Sequence, residues 1–155
     1  MPNNILIVPT LSEHLPEIAE IEKMCFSSPA SLEFLTNEVQ NDSAYYLTAL
    51  CENKVVGYIG VNIIVDEAYI DNIAVLTNYR RKGIAATLMN ITIQKCRDND
   101  VSFLTLEVRK SNFPAISLYQ KYGFQTVGKR RNYYSSPTED ALIMTIFFNT
   151  GESHE

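Results

Sequence analysis

The sequence predicts a single mixed α/β domain, and three observations carry that expectation. The chain has 155 residues, a length that fills one domain and falls short of two. Apolar residues make up 46% and charged residues 20%, enough to build a core and to exclude bulk disorder. Segments of period-two and period-3.6 hydrophobicity also follow one another as β-α-α-β-β-β-α-β-α-β-β, with no repeat and no internal linker.

Taken in order, the apolar run Ile5 to Val8 reads as a strand. Thr10-x-x-Glu13 is a capping-box pattern ahead of Leu15, Ile18, Ile21 and Met24 or Cys25 at helical spacing. Ser28-Pro29, followed by Leu32, Leu35 and Val39, reads as an N-cap and first-turn proline of a second short helix. Tyr45 to Cys51 and Val55 to Val65 are rich in β-branched and aromatic residues, and Glu52-Asn53-Lys54 between them suggests a hairpin. Ala68 to Val75 continues that meander. Gly83 to Arg97 carries Ile84, Leu88, Ile91 and Cys96 on one helical stripe, and Ser102 to Val108 alternates as a strand. Asn112 and Pro114 open a helix through Ile116, Leu118 and Tyr119 to Tyr122, which Gly123 ends. Strands Gln125 to Lys129 and Ala141 to Phe148 then flank a polar loop, Arg130 to Asp140. The domain is expected to span residues 1–148, with 149–155 as a short polar tail.

The net charge of −5 and pI near 5.1, with no block of five like charges, argue against direct nucleic-acid binding, which depends on clustered Lys and Arg. No stretch reaches 18 uninterrupted apolar residues, and Met1-Pro2-Asn3-Asn4 lacks a basic segment, so no membrane association and a cytoplasmic location are expected. Cys25, Cys51 and Cys96 contain no C-x-x-C pair; free thiols are expected, and no metal site.

The strongest local signal is Arg80-Arg81-Lys82-Gly83-Ile84-Ala85, between a strand and a helix start. Backbone N–H groups at a helix start form an anion site, and small residues let a phosphate approach. Such a loop is a pyrophosphate cradle in outline, or else a solvated basic turn that caps a helix. The glycine patterns of Walker and Rossmann loops are absent.

Strand Asn72-Ile73-Ala74-Val75, the R-R-K-G-I-A loop, strand Leu106-Glu107-Val108-Arg109, Ser111-Asn112, and Ala115-Ile116-x-Leu118-Tyr119-x-x-x-Gly123-Phe124 together resemble the GCN5-related N-acetyltransferase (GNAT) superfamily. More narrowly, Arg130-Arg131-Asn132-Tyr133-Tyr134 and Glu139-Asp140-Ala141-x-Ile143-Met144 resemble the bacterial ribosomal-protein-alanine N-acetyltransferase family, the RimI type. The resemblance runs from residue 5 to 148. It implies a mixed, mostly antiparallel sheet, splayed between strands 4 and 5 and flanked by helices, with acetyl-CoA wedged in the gap and no metal. By the same resemblance the backbone of Ile73, Ala74 and Val75 pairs with the pantetheine arm. The backbone of Arg81, Lys82, Gly83, Ile84, Ala85 and Ala86 holds the pyrophosphate, and Asn112 contacts the arm. Two departures stand out. Ala85 takes a position often held by glycine, and Ala30 stands in the first acceptor loop where these enzymes usually place tryptophan, which the chain lacks.

An amine that attacks a thioester must first lose a proton, because an α-amine with a pKa near 7.7–8.0 is largely protonated at neutral pH. His14, in the first helix, and His154, in the tail, are placed wrongly for that work, which leaves carboxylates. The resemblance implies Glu107 as the general base and Tyr119 as the general acid; a solvated strand glutamate and a core aromatic are the alternatives. Asp66, Glu67 and Asp71 are rival carboxylates. Cys96 has no histidine beside it to activate a thiol, so direct transfer in a ternary complex is expected. Tyr133 and Tyr134 are implied to face the acceptor. The expected reaction acetylates the N-terminal α-amine of a protein, a small-subunit ribosomal protein with N-terminal alanine. Acetylation of a small amine and a non-catalytic CoA-binding module remain alternatives.

Overall fold

A computed structural model describes residues 4–148, so the expected tail, 149–155, lies outside the described residues. Seven strands form one sheet: β1 Ile5–Pro9, β2 Ala44–Cys51, β3 Lys54–Ile64, β4 Glu67–Val75, β5 Phe103–Arg109, β6 Gln125–Tyr134 and β7 Glu139–Phe147. Their order is β1-β2-β3-β4-β5-β7-β6. Every neighbouring pair is antiparallel except β4–β5, which is parallel.

Helices α1 (Leu15–Cys25) and α2 (Leu32–Val39) precede β2, α3 (Ile84–Asp98) joins β4 to β5, and α4 (Phe113–Lys121) joins β5 to β6. A parallel pair cannot be closed by a hairpin, and α3 is the crossover that β4–β5 requires. One face of the sheet packs Ile84, Leu88, Met89 and Cys96 of α3 against Ile59, Val61, Leu104 and Met144. Leu15, Ile18 and Ile21 of α1, with Leu35 of α2, pack with Tyr46, Val55, Tyr58 and Ala74 in a second core. The mixed α/β fold with its flanking helices is as the sequence implied.

Local details differ from the sequence reading, each for a physical reason. Thr10 does not cap the first helix, because its hydroxyl pairs with the Thr48 hydroxyl at 2.6 Å. A 3-10 turn over Ser12–His14 leads into α1 instead, and the Leu11 N–H donates to His14 Nδ1 at 2.9 Å. The second helix starts three residues later than Ser28-Pro29 suggests. Ser31 is its cap, and its hydroxyl oxygen accepts from the Phe34 N–H at 3.0 Å. Only Glu52 and Asn53, both at positive φ, form the β2–β3 turn, while Lys54 pairs with Cys51. The polar segment Arg130–Asp140 is mostly strand: β6 runs on to Tyr134, and β7 begins at Glu139. A bulge at Asn132 (φ 52°) lets that strand pass its partner, and the Asn132 N–H donates to Asp140 at 2.9 Å.

Gly60 is the position where packing leaves no room for a side chain. A Cβ there would lie 2.6 Å from Cε2 and Cζ of Tyr46. That ring is 7% exposed, stacks on Tyr58 at 6.3 Å, and donates its hydroxyl to Asp71 at 2.9 Å, so it cannot swing aside. Gly60→Ala is expected to cost about 1–3 kcal/mol through overpacking, seen as a Tm lowered by about 2–12 °C in thermal unfolding. An unchanged Tm would mean that the Tyr46 ring is not held.

Candidate active site

Strands β4 and β5 pair only through Glu67↔Phe103, Ala68↔Leu104 and Tyr69↔Thr105. Beyond Tyr69 they part. β4 stays paired with β3 out to Val75, and β5 stays paired with β7 out to Arg109, so each strand turns one edge toward a gap between them. The register shift between Gly60 and Val61 leaves Asp71 without a Cα partner on β3. A bulge of this kind bends its strand, here on the wall of the gap. A cleft of about 1350 Å³ occupies the opening, lined by β4 from Ile70 to Val75, β5 from Leu106 to Arg109, the start of α3, α4, Phe26 to Ser28 after α1, and Tyr133 and Tyr134 at the end of β6.

At one end of the cleft Gly83 caps α3 with φ +83°, a left-handed conformation that glycine adopts without a Cβ penalty. Arg81 is left-handed as well, at φ 62°. The first bond of the helix runs from the Thr87 N–H to the Gly83 carbonyl at 3.0 Å. The N–H groups of Ile84, Ala85 and Ala86 therefore face out of the helix end, where the helix dipole favours an anion. Side chains of Arg81 and Lys82 are exposed beside them. Arg80 is engaged differently, since its Nε donates to the Val75 carbonyl at 2.9 Å and its Nη2 lies 3.4 Å from Cys25 Sγ. The arginine thus ties the loop to the end of β4, and the carbonyl of Val75 is already occupied.

Deeper in, Glu107 and Tyr119 both line the cleft. Arg130 Nε donates to Glu107 Oε2 at 3.0 Å, while Oε1 has no partner among the described residues. The Tyr119 ring is tilted on Phe124, with centroids 5.7 Å apart. Burial pushes its phenol up to about 12, with Tyr122 adding to the shift, so it holds its proton at neutral pH. Asn112 caps α4 through its side-chain oxygen, which accepts from the Ala115 N–H at 3.3 Å; its amide nitrogen is the part left for a ligand. Of the rival carboxylates only Asp71 lines the cleft. Burial pushes its carboxyl up to about 6, aided by Glu38 and opposed by hydrogen bonds from Tyr46 and Asn62. Asp66 and Glu67 sit at the β3–β4 turn, where Asp66 accepts from the Ser102 hydroxyl at 2.7 Å and Glu67 from the Tyr69 hydroxyl.

Tyr133 and Tyr134 end β6 over the cleft, edge to face at 5.0 Å. They lie on a strand and not in the loop that the sequence suggested. Arg109 stacks over Tyr134 at 4.6 Å. It also donates to the Pro137 and Ser135 carbonyls at 3.0 and 2.9 Å, to Glu139 at 3.2 Å and to the Ser27 hydroxyl at 3.1 Å. A single side chain at the end of β5 therefore joins the β6–β7 turn to the α1–α2 loop. Cys96 is fully buried, and burial pushes its thiol up to about 11, so it is no nucleophile. Sequence reasoning passed over Glu22 of α1, which is also fully buried. Its one signal was position, a glutamate four residues after Ile18 on the apolar stripe. Among the described residues no cluster of His, Cys, Asp or Glu can hold a metal ion, and no helix is long and apolar enough to cross a membrane.

Residues 15–124 match the family model described as the acetyltransferase (GNAT) family. A Bacillus subtilis relative, assigned as a putative ribosomal protein bS18-alanine N-acetyltransferase, is 39% identical over 138 residues, covering 88% of this chain and 91% of its own. An N-alpha-acetyltransferase of Saccharolobus solfataricus is 32% identical over 145 residues, covering 85% and 86%. The crystal structure of the ribosomal-protein-S18-alanine N-acetyltransferase from Escherichia coli superposes with a TM-score of 0.86 at 31% identity, covering 92% of this chain and 93% of that one.

Proposed function

This chain belongs to the acetyltransferase (GNAT) family, and from that premise we propose that it acetylates the N-terminal α-amine of a ribosomal protein that begins with alanine. The observation that carries the reading is the open wedge between β4 and β5, with an anion-accepting helix start at one end and a carboxylate and a phenol inside it. Relatives that span most of this chain are named for the same reaction on ribosomal protein bS18. The walls that the α1–α2 loop and the end of β6 raise around the cleft suit a peptide better than a small amine.

Acetyl-CoA fits the wedge, because the exposed edge of β4 can pair with an extended amide-bearing arm and the start of α3 can take the pyrophosphate. Its thioester supplies the acetyl group and a thiolate leaving group. Ile73, Ala74 and Val75 would bind the arm, although the Arg80 contact leaves Val75 its N–H rather than its carbonyl for that pairing. The backbone from Arg81 to Ala86 would bind the pyrophosphate, and the Asn112 amide would orient the arm. Glu107 Oε1 takes the proton from the acceptor amine, while Arg130 on Oε2 holds the side chain in place. Tyr119 gives its phenolic proton to the departing sulfur. A phenol with a pKa near 12 remains protonated throughout the working range, as an acid must. Tyr133 and Tyr134 would flank the first residues of the acceptor.

Acetylation of hexapeptides differing at the first residue, with spermidine included, tests the acceptor. The alanine peptide should be preferred; spermidine preferred over every peptide would overturn the reading. Gly83→Asp places a bulky anion among the N–H groups of the α3 start and should abolish CoA binding in calorimetry. Affinity within about threefold of wild type, or about 0.7 kcal/mol, would locate the cradle elsewhere.

Glu107→Gln should lower kcat/KM by about 10²–10⁴-fold at pH 7. The loss should shrink as pH rises above the amine's pKa of about 8, because more acceptor then arrives neutral. Tyr119→Phe should lower kcat over a similar range with acetyl-CoA binding intact. A Glu107→Gln enzyme within about fivefold of wild type, beside a crippled Asp71→Asn enzyme, would move the base to β4.

A further inference from the structure

We propose that Glu22 is a positioning residue that sets the acceptor wall of the cleft against β4. Its carboxylate is fully buried and faces three donors from three different elements. Oε1 accepts from the Ala30 N–H at 2.8 Å, in the loop between α1 and α2. Oε2 accepts from the Tyr58 hydroxyl of β3 at 2.5 Å and from Asn72 Nδ2 of β4 at 3.0 Å. No cation pairs with it among the described residues. A buried carboxylate is costly to keep unless its hydrogen bonds are made, and here it is retained where a leucine would complete the apolar stripe of α1. What it provides in return is a bridge.

Both of the groups that it joins border the cleft where the acceptor is proposed to enter. The loop contributes Phe26, Ser27 and Ser28 to the cleft lining, and Asn72, beside the bulged Asp71, lines the same cleft from β4. The loop has another polar anchor near its α1 end, where Arg109 reaches the Ser27 hydroxyl. Glu22 therefore fixes the α2 end of the loop to β4, Arg109 fixes its α1 end to β5, and the width of the acceptor entrance follows from both. The pyrophosphate end of the cleft, at Gly83, shares none of these contacts, so the effect of Glu22 falls on the acceptor and not on CoA. This inference rests on the reading of the α1–α2 loop as an acceptor wall.

Glu22→Asp tests it, because the carboxylate stays but is one methylene too short to span Ala30 and the Tyr58–Asn72 pair. With an alanine-first hexapeptide, KM for the peptide should rise about tenfold, the scale of one lost buried hydrogen bond. Both kcat and the KM for acetyl-CoA should stay within about twofold. Glu22→Gln keeps the span, since its oxygen can accept from Ala30 while its NH2 donates to the Tyr58 hydroxyl oxygen and to a turned-over Asn72 amide, and should return the peptide KM to within about threefold of wild type. Hydrogen exchange gives a readout that needs no acceptor: the Ala30 amide should exchange faster in Glu22→Asp, with α3 unchanged. If Glu22→Asp does not fold, Ala30→Pro removes the same bond from the loop side and should raise the peptide KM alike. An unchanged peptide KM and unchanged Ala30 exchange would overturn the proposal, as would an equal rise in both KM values. Wild-type enzyme inactive on every peptide would instead overturn the N-terminal acetylation reading, and the exchange rates would still decide the role of Glu22.

Discussion

The structure depends on where one strand pairing stops. β4 and β5 share three residue pairs and then diverge, although each remains paired on its other side. Backbone N–H and C=O groups left at such an edge need partners, and a sheet that leaves them open in its middle holds a template for an extended ligand. The bulge at Asp71 bends β4 just where the gap opens. Gly60, opposite, lets Tyr46 lie flat enough to bond that same aspartate. Core packing, the bulge and the cleft are thus parts of one arrangement.

Polar side chains then define the cleft's ends and walls. At one end a left-handed glycine lets the chain turn into α3 with its N–H groups facing out. At the other, Arg109 and Glu22 hold two loops to the strands on either side of the gap. The chemistry proposed above needs little more, a carboxylate held by Arg130 and a phenol whose ordinary preference for its proton burial reinforces.

Much of this was legible in the chain. The order of strands and helices followed from hydrophobic period, and Gly123 ended α4 as its φ of +104° requires. The R-R-K-G-I-A loop announced the helix start. Legibility failed where a side chain had two possible partners. Thr10 looked like a cap but found Thr48 across the sheet, and Ser28-Pro29 imitated a helix start that Ser31 supplies. The segment after Lys129 read as a loop because its residues are polar, yet it forms the last strand on its edge, where polar residues face water on both sides. Glu22 was silent because its three donors come from residues 8 to 50 positions away.

On the proposed function, the gap between β4 and β5 brings acetyl donor and acceptor amine together. The most direct measurement is a crystal structure of this enzyme with CoA joined covalently to an alanine-first hexapeptide. The pantetheine arm should lie along Ile73 to Val75, the pyrophosphate at the start of α3, and the junction between Glu107 and Tyr119, with the peptide leaving between the α1–α2 loop and Tyr133. A conjugate bound with its junction outside the gap, or a peptide running away from both loops, would contradict it.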